Sequence, residues 1–253
     1  MAIHAMRRFL RKLKRNAENT LLYLKFAAEG NRVERITDFN RMSKPILLLH
    51  GLAATRRVFQ ILENRLRMDG YSIFTLHLGG LADTFNTDPI NESASFVAKK
   101  VKRLYAKYKI KGKLTIIGHS KGGLIGRYYV KKYGGAEFTQ CLITLGTPHN
   151  GTPWAFIGYF TLLGLFSKSL LQMIPASKFI RELNHTPWPR GVKIISIYSK
   201  EDPFAIYPSA MLDPKGNPNV HNLEIPSQGH TDFLITKKSY RVIRQALKLK
   251  IKK

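Results

Sequence analysis

Residues 113–123, Lys-Leu-Thr-Ile-Ile-Gly-His-Ser-Lys-Gly-Gly, constrain this chain more than any other stretch. Leu114–Ile117 is a short apolar, partly β-branched run that reads as a buried parallel strand, and Leu124–Tyr133 reads as a helix. Between them lies Gly118-His119-Ser120-Lys121-Gly122, a G-x-S-x-G pattern. A strand that turns sharply into a helix through one serine strains that residue's backbone and exposes its hydroxyl. Glycine is needed on both sides because a Cβ would clash as strand and helix close on each other. The turn also sets Ser120 near a helix N-terminus, where negative charge is stabilised. The pattern predicts a nucleophilic serine. In isolation the same five residues also occur as an incidental match in glycine-containing loops.

The rest of the chain alternates in the same way. Pro45–Leu49, Ser72–Leu78, Leu114–Ile117, Phe138–Leu145, Val192–Tyr198 and His221–Ile225 read as strands. Thr55–Met68, Asn91–Lys109, Leu124–Tyr133 and Ser239–Leu249 read as helices between and after them. Such alternation predicts an α/β fold, a mostly parallel central sheet of about six strands with helices on both faces. Residues 45–253 are expected to form one catalytic domain. Trp154–Ile174 breaks the alternation, with thirteen large apolar residues and Lys168 as its one charge. It is long enough to cross a bilayer, but it sits between two strands of one sheet. The expectation is a mobile apolar cap over a site, within a lid insertion at 152–185; an ordinary buried helix pair is the plainer alternative.

A serine hydroxyl needs a base, and the base needs a carboxylate to orient it. Beyond the strand ending at Tyr198 comes Ser199-Lys200-Glu201-Asp202-Pro203, and beyond the last strand comes Ser227-Gln228-Gly229-His230-Thr231-Asp232. Asp202 is the favoured carboxylate because Pro203 stiffens its turn; Glu201, Asp213 and Asp232 are rivals. Among eight histidines, His230 is the favoured base. His119, beside Ser120, points elsewhere and reads as structural. His50 and His149 follow other strands and are expected to line the pocket, together with Trp154, Phe156 and Phe160 of the lid. An oxyanion hole is expected from the backbone N–H groups of Lys121 and Leu52, with Ala53 a weaker choice than Leu52.

Charge sets the chain apart: 42 Lys and Arg against 16 Asp and Glu give a net charge of +26. Such an excess concerns partners, not fold. Residues 1–44 read as a basic helix followed by a polar linker. Met6, Phe9, Leu10, Leu13, Ala17, Leu21, Leu24 and Ala28 recur at helical spacing, with the early cations largely on the other side. A basic amphipathic helix suits an anionic membrane surface; packing on the domain is the alternative. No uninterrupted apolar run follows the basic start, so no clear signal peptide is read, and a cytoplasmic or peripheral-membrane location is expected. The single cysteine, Cys141, reads as a core residue. No motif implies a metal or cofactor, and none implies nucleic acid. The oligomeric state is not legible.

Four motifs in order carry a resemblance: Pro45-Ile-Leu-Leu-Leu-His-Gly51, Gly118-His-Ser-Lys-Gly-Gly123, Leu145-Gly-Thr-Pro-His-Asn-Gly151 and Gly229-His230. Over roughly residues 45–247 the chain resembles the α/β-hydrolase superfamily, in its bacterial triacylglycerol lipase and esterase branch. Ser120, Asp202, His230 follow the order that superfamily uses. The resemblance implies a serine carboxylester hydrolase acting on lipid esters through an acyl-enzyme. A phospholipase, thioesterase or acyltransferase would use the same residues. Lys121 departs from the family, which more often has Met or Gln there. A catalytically silent membrane-binding scaffold and a nucleic-acid binder are the readings outside the enzyme class.

Overall fold

The structure, a computed structural model, describes residues 2–32, 37–80, 85–159 and 167–250, with side chains from Lys14 onward except that of Tyr159. Six strands are present: β1 (Pro45–Leu49), β2 (Ser72–Thr75), β3 (Leu114–His119), β4 (Thr139–Leu145), β5 (Lys193–Tyr198) and β6 (Val220–Glu224). They pair in parallel throughout, in the order β2-β1-β3-β4-β5-β6. The expected sheet is therefore observed. β2 ends at Thr75, so His77, expected within a strand, lies in the loop beyond it.

The strands are apolar on both faces because helices cover both faces. The helices are α1 (Ala2–Ala28), α2 (Gln60–Met68), α3 (Ile90–Tyr108), α4 (Lys121–Lys132), α5 (Gly135–Phe138), α6 (Pro153–Tyr159), α7 (Ser169–Met173), α8 (Lys178–His185), α9 (Asp232–Ile235) and α10 (Lys237–Lys248). Leu47, Leu49, Ile116 and Leu142 point to one face, where Ala94 and Val97 of α3, Ile125 and Tyr129 of α4 and Leu183 of α8 pack. Their chain neighbours Ile46, Leu48, Ile117 and Ile143 point to the other, against Leu62 and Leu66 of α2, Phe233 of α9 and Ile243 of α10. The period of two along each strand divides its side chains between two buried layers.

The chain runs from β1 outward to β2, then returns to β3 on the other side of β1. In open parallel sheets the crevice beyond the strand ends at such a reversal is where ligands bind. The loops after β1 and β3, which carry Leu52 and Ser120, flank it.

Between β4 and β5 stand α6, α7 and α8, where the lid was expected. Phe160 and the rest of 160–166 lie outside the described residues. α7 is anchored to the loop before α3: the Ser167 and Ser169 hydroxyls donate to the Thr87 carbonyl at 2.9 and 3.4 Å, and Gln172 accepts from the Ile90 N–H at 2.6 Å.

The N-terminal helix is present and packs on the sheet domain, with a face different from the expected one. Ala27 is buried, and the Phe26 and Ala27 carbonyls accept from Thr55. Asn19 donates to Asp232 at 2.6 Å, and Arg15 donates to the Ser227 carbonyl at 3.0 Å. Ala17, Leu21, Leu24 and Ala28, the described part of the apolar stripe, face outward. Leu21 is 66 % and Leu24 55 % exposed. The reason is the docking surface: the loop at 227–232 offers carbonyls and a carboxylate to Arg15 and Asn19, while Tyr23 and Ala27 pack against the apolar cluster beneath α2, so this mixed face turns inward.

Candidate active site

The turn from β3 into α4 has the geometry its sequence requires. Ser120 lies at φ 54° and ψ −125°, a region that L-residues seldom occupy. A Cβ on Gly122 would overlap the Leu49 carbonyl, and one on Gly118 would lie 2.6 Å from the Gly122 carbonyl oxygen and the Gly123 Cα. The Ser120 N–H donates to the Leu145 carbonyl at 3.0 Å. The Ser120 carbonyl accepts from the Thr147 hydroxyl at 3.0 Å and the Gly123 N–H at 3.0 Å. Both groups of the strained peptide are thus tied down, and the side chain is left free. Thr147 belongs to the motif Leu145-Gly-Thr-Pro-His-Asn-Gly151, and nothing in the sequence sets its hydroxyl apart from its neighbours.

His230 Nδ1 meets Asp202 Oδ2 at 2.9 Å and Oδ1 at 3.1 Å. Asp202 is buried, and its Oδ1 also accepts the Phe204 and Ala205 N–H groups at 2.8 and 3.1 Å. Burial alone would raise the Asp202 pKa. The His230 charge and these hydrogen bonds outweigh it and hold the carboxyl below its usual range. A carboxylate accepts only, so Nδ1 carries a proton, and in the neutral form of the ring Nε2 keeps its lone pair. Among the described residues the Ser120 hydroxyl has no hydrogen-bond partner, so the structure joins His230 to Asp202 and leaves the Ser120 link open.

The rival carboxylates have other work. Glu201 accepts from the Ser199 hydroxyl at 2.8 Å and the Ser227 N–H at 3.0 Å. Asp232 accepts from the Gly229 N–H at 2.9 Å and from Asn19 of α1. Both therefore brace the loop that carries His230. Asp213 is exposed. His119 is fully buried, and its Nε2 donates to the His230 carbonyl at 3.0 Å while the two rings lie 4.7 Å apart. Burial lowers its pKa to about 3, so it is a neutral strut under the base.

The oxyanion candidates converge from two strands. Gly51 packs so closely on Ser120 that an added Cβ would lie 3.0 Å from the Ser120 Cβ. The Ala53 N–H is turned to the Asn86 carbonyl at 3.4 Å, whereas Leu52 N–H has no such partner among the described residues. That distinction favours Leu52 over Ala53. Lys121 opens α4, so its N–H has no carbonyl within the helix.

The Lys121 side chain has a structural role that the sequence concealed. It is fully buried, and Nζ donates to Asn86 Oδ1 at 2.9 Å, the Asn86 carbonyl at 3.1 Å and the Asp88 carbonyl at 2.5 Å. Asn86 in turn donates from Nδ2 to the His50 carbonyl at 2.9 Å and from its backbone to the Ala54 carbonyl at 3.3 Å. One side chain thereby links the start of α4 to the loop after β1. Burial pushes the Lys121 pKa down to about 7, with Asp88 opposing. Asn86 lies in the polar run Asn-Thr-Asp-Pro, which gave no signal beyond a loop.

The expected pocket residues divide. Trp154 is 45 % exposed and donates from Nε1 to the Pro203 carbonyl at 2.5 Å; its ring is 6.0 Å from Phe204, which is 5.1 Å from His230. Phe156 is exposed on α6. His50 and His149 are buried: His50 lies beside the Gly51 carbonyl, and His149 is held between Thr144 at 2.9 Å and Arg127 at 3.3 Å.

Residues 44–166 match the family model of the alpha/beta hydrolase fold. The chain is 28 % identical over 117 residues to a triacylglycerol lipase of Pseudarthrobacter phenanthrenivorans, covering 44 % of this chain and 35 % of that protein. A triacylglycerol lipase of Burkholderia plantarii is likewise 28 % identical over 117 residues, covering 44 % of this chain and 31 % of its own length. The chain thus matches about a third of the length of these curated relatives. The solved structure of mature Bacillus licheniformis lipase BlEst2 aligns with a TM-score of 0.66 at 17 % identity, over 87 % of this chain and 97 % of that one. At that identity the likeness is one of fold.

Proposed function

Because this chain is an α/β-hydrolase similar to lipases and esterases, we propose that it is a serine carboxylester hydrolase acting on acyl esters of lipids. Ser120 Oγ attacks the ester carbonyl while His230 Nε2 takes its proton. Asp202 holds the imidazole in the required tautomer and stabilises the imidazolium. The N–H groups of Leu52 and Lys121 receive the oxyanion. Collapse of the tetrahedral intermediate expels the alcohol, which takes the proton from His230. Water, activated by the same base, then releases the acid from the acyl-enzyme. The observations that support the reading are the bond from His230 Nδ1 to buried Asp202 at 2.9 Å and the positive φ of Ser120 in its strand-to-helix turn.

A fluorophosphonate probe tests it. It is expected to label Ser120 covalently in the wild type and not in Ser120→Ala. That variant should lose ester turnover at least ~10⁴-fold with an unchanged melting temperature; retained turnover overturns the assignment.

The partner is read as an anionic lipid surface. Among the described residues no helix is long and apolar enough to cross a membrane. The outward stripe of Leu21 and Leu24 on α1, in a chain of net charge +26, supports lying on one instead. α6 is read as part of a cover over the site.

A further inference from the structure

A cavity of about 600 Å³ opens between α4, α8 and residues 211–220, and none of Ser120, Asp202 and His230 lines it. That volume suits a small organic molecule. Its walls include Arg127, Lys131, Trp188, Arg190, Asp213 and Lys215, four cations against one carboxylate. The carboxylate, Asp213, is exposed and accepts the Lys215 N–H at 3.1 Å.

Arg127 is the anomaly. It is buried, and its guanidinium meets only neutral acceptors: His149 Nδ1 and carbonyl at 3.3 Å each, and Asn184 Oδ1 at 2.9 Å. Its Nε is buried with no partner. Among the described residues no carboxylate pairs with it. Lys131 donates to the Leu183 carbonyl at 2.6 Å and to that of Thr186, and it lies 5.9 Å over the Trp188 ring. Lys215 donates to the Asn184 carbonyl at 3.1 Å. Glu182, the nearby carboxylate of α8, pairs with Lys132 instead, at 2.9 Å.

Three cations therefore gather at the last turn of α8. The carbonyls there offer about half a negative charge, which cannot balance them. A buried charge without a counter-charge is costly, and an anion entering the cavity removes that cost. We propose that this cavity is a binding site for a small molecule bearing a phosphate or carboxylate group, held by Arg127, Lys131 and Lys215. Burial and the charges of Arg127, Lys215 and Lys132 push the Lys131 pKa down to about 7, the direction expected for a cation group that lacks its counter-ion. The site is independent of the ester chemistry.

The test uses the full chain and inorganic phosphate, with ionic strength balanced by sodium chloride. Calorimetric titration is expected to give one saturable site, with a matching rise in melting temperature. Lys215→Glu should weaken binding at least tenfold, and Lys102→Glu on the exposed side of α3 should leave it unchanged. Arg127→Met should abolish binding; if it fails to fold, Lys215→Glu still decides. Absence of saturable binding of both phosphate and citrate, or an equal loss in Lys102→Glu, overturns the proposal. Glycerol phosphate in solution and phosphatidylglycerol vesicles separate the sources. Loss in Lys215→Glu with the soluble ligand alone identifies a free metabolite, and loss with the vesicles identifies a lipid headgroup.

Discussion

Among single residues, Asp202 and Lys121 carry the sharpest consequences. Asp202→Asn keeps the shape of the site but presents an amide to His230 Nδ1. The imidazole then favours the wrong tautomer, and kcat for a p-nitrophenyl ester should fall about 10⁴-fold with little change in KM. Lys121→Met keeps volume and the backbone donor while removing three hydrogen bonds to the Asn86–Asp88 loop. Misplacing one oxyanion donor by about 1 Å costs roughly 10²-fold, so kcat should drop by that order while KM moves less. An unchanged kcat would mean that the loop after β1 holds its place alone. The strained turn at Ser120 and the pairing of Asp202 with His230 were legible in the sequence because each residue follows a strand in a turn of distinctive composition. Thr147, Asn86 and the Lys121 side chain were not, because their partners are backbone carbonyls, and a carbonyl leaves no mark on the sequence.

At the level of elements, the six strands and the long helices were legible with ends shifted by a few residues, since most buried strands are apolar runs and the long helices keep a period near 3.6, whereas the short α5, α8 and α9 carried no such signal. The docking face of α1 was not. Its stripe at 17, 21, 24 and 28 is the apolar choice, yet the helix seats its polar side on the 227–232 loop. An apolar period tells that a helix has a preferred face, but not which surface waits for it. If that surface is lipid, replacing Leu21 and Leu24 with Ser should weaken binding to anionic vesicles about 100-fold or more, because each leucine contributes roughly 1.5 kcal/mol or more when buried. The melting temperature in the absence of lipid should not fall. Vesicle binding equal to the wild type would assign the stripe to something else.

For the whole molecule, the buried histidines and lysines and Asp202 point one way; Cys141 and Tyr23, which burial raises, act in the opposite direction above about pH 9. Burial lowers His50 and His119 to about 3 and His149 well below its ordinary value, and lowers Lys121 and Lys131 to about 7. Asp202 is also held low, burial being outweighed by its hydrogen bonds and the His230 charge. In each case the unfolded chain binds protons that the folded chain does not, so stability rises with pH. The histidines act below their ordinary 6.5 and the lysines between about 7 and 10.5. Urea midpoints should therefore increase from pH 5 to pH 9, and Lys121→Met should flatten the part above pH 7. A midpoint that falls over this range would contradict the burial of these groups.

The seat of α1 also has a meaning in time. Its bonds to Ser227 and Asp232 span 212 and 213 positions of chain. During synthesis the helix leaves the ribosome long before the loop it braces exists, and contacts so distant in sequence form late. The hold that Asp202 and His119 have on His230 is joined by this brace only when the two remote stretches meet. A partly made chain can therefore carry the strained turn at Ser120 before the loop that bears His230 is in place.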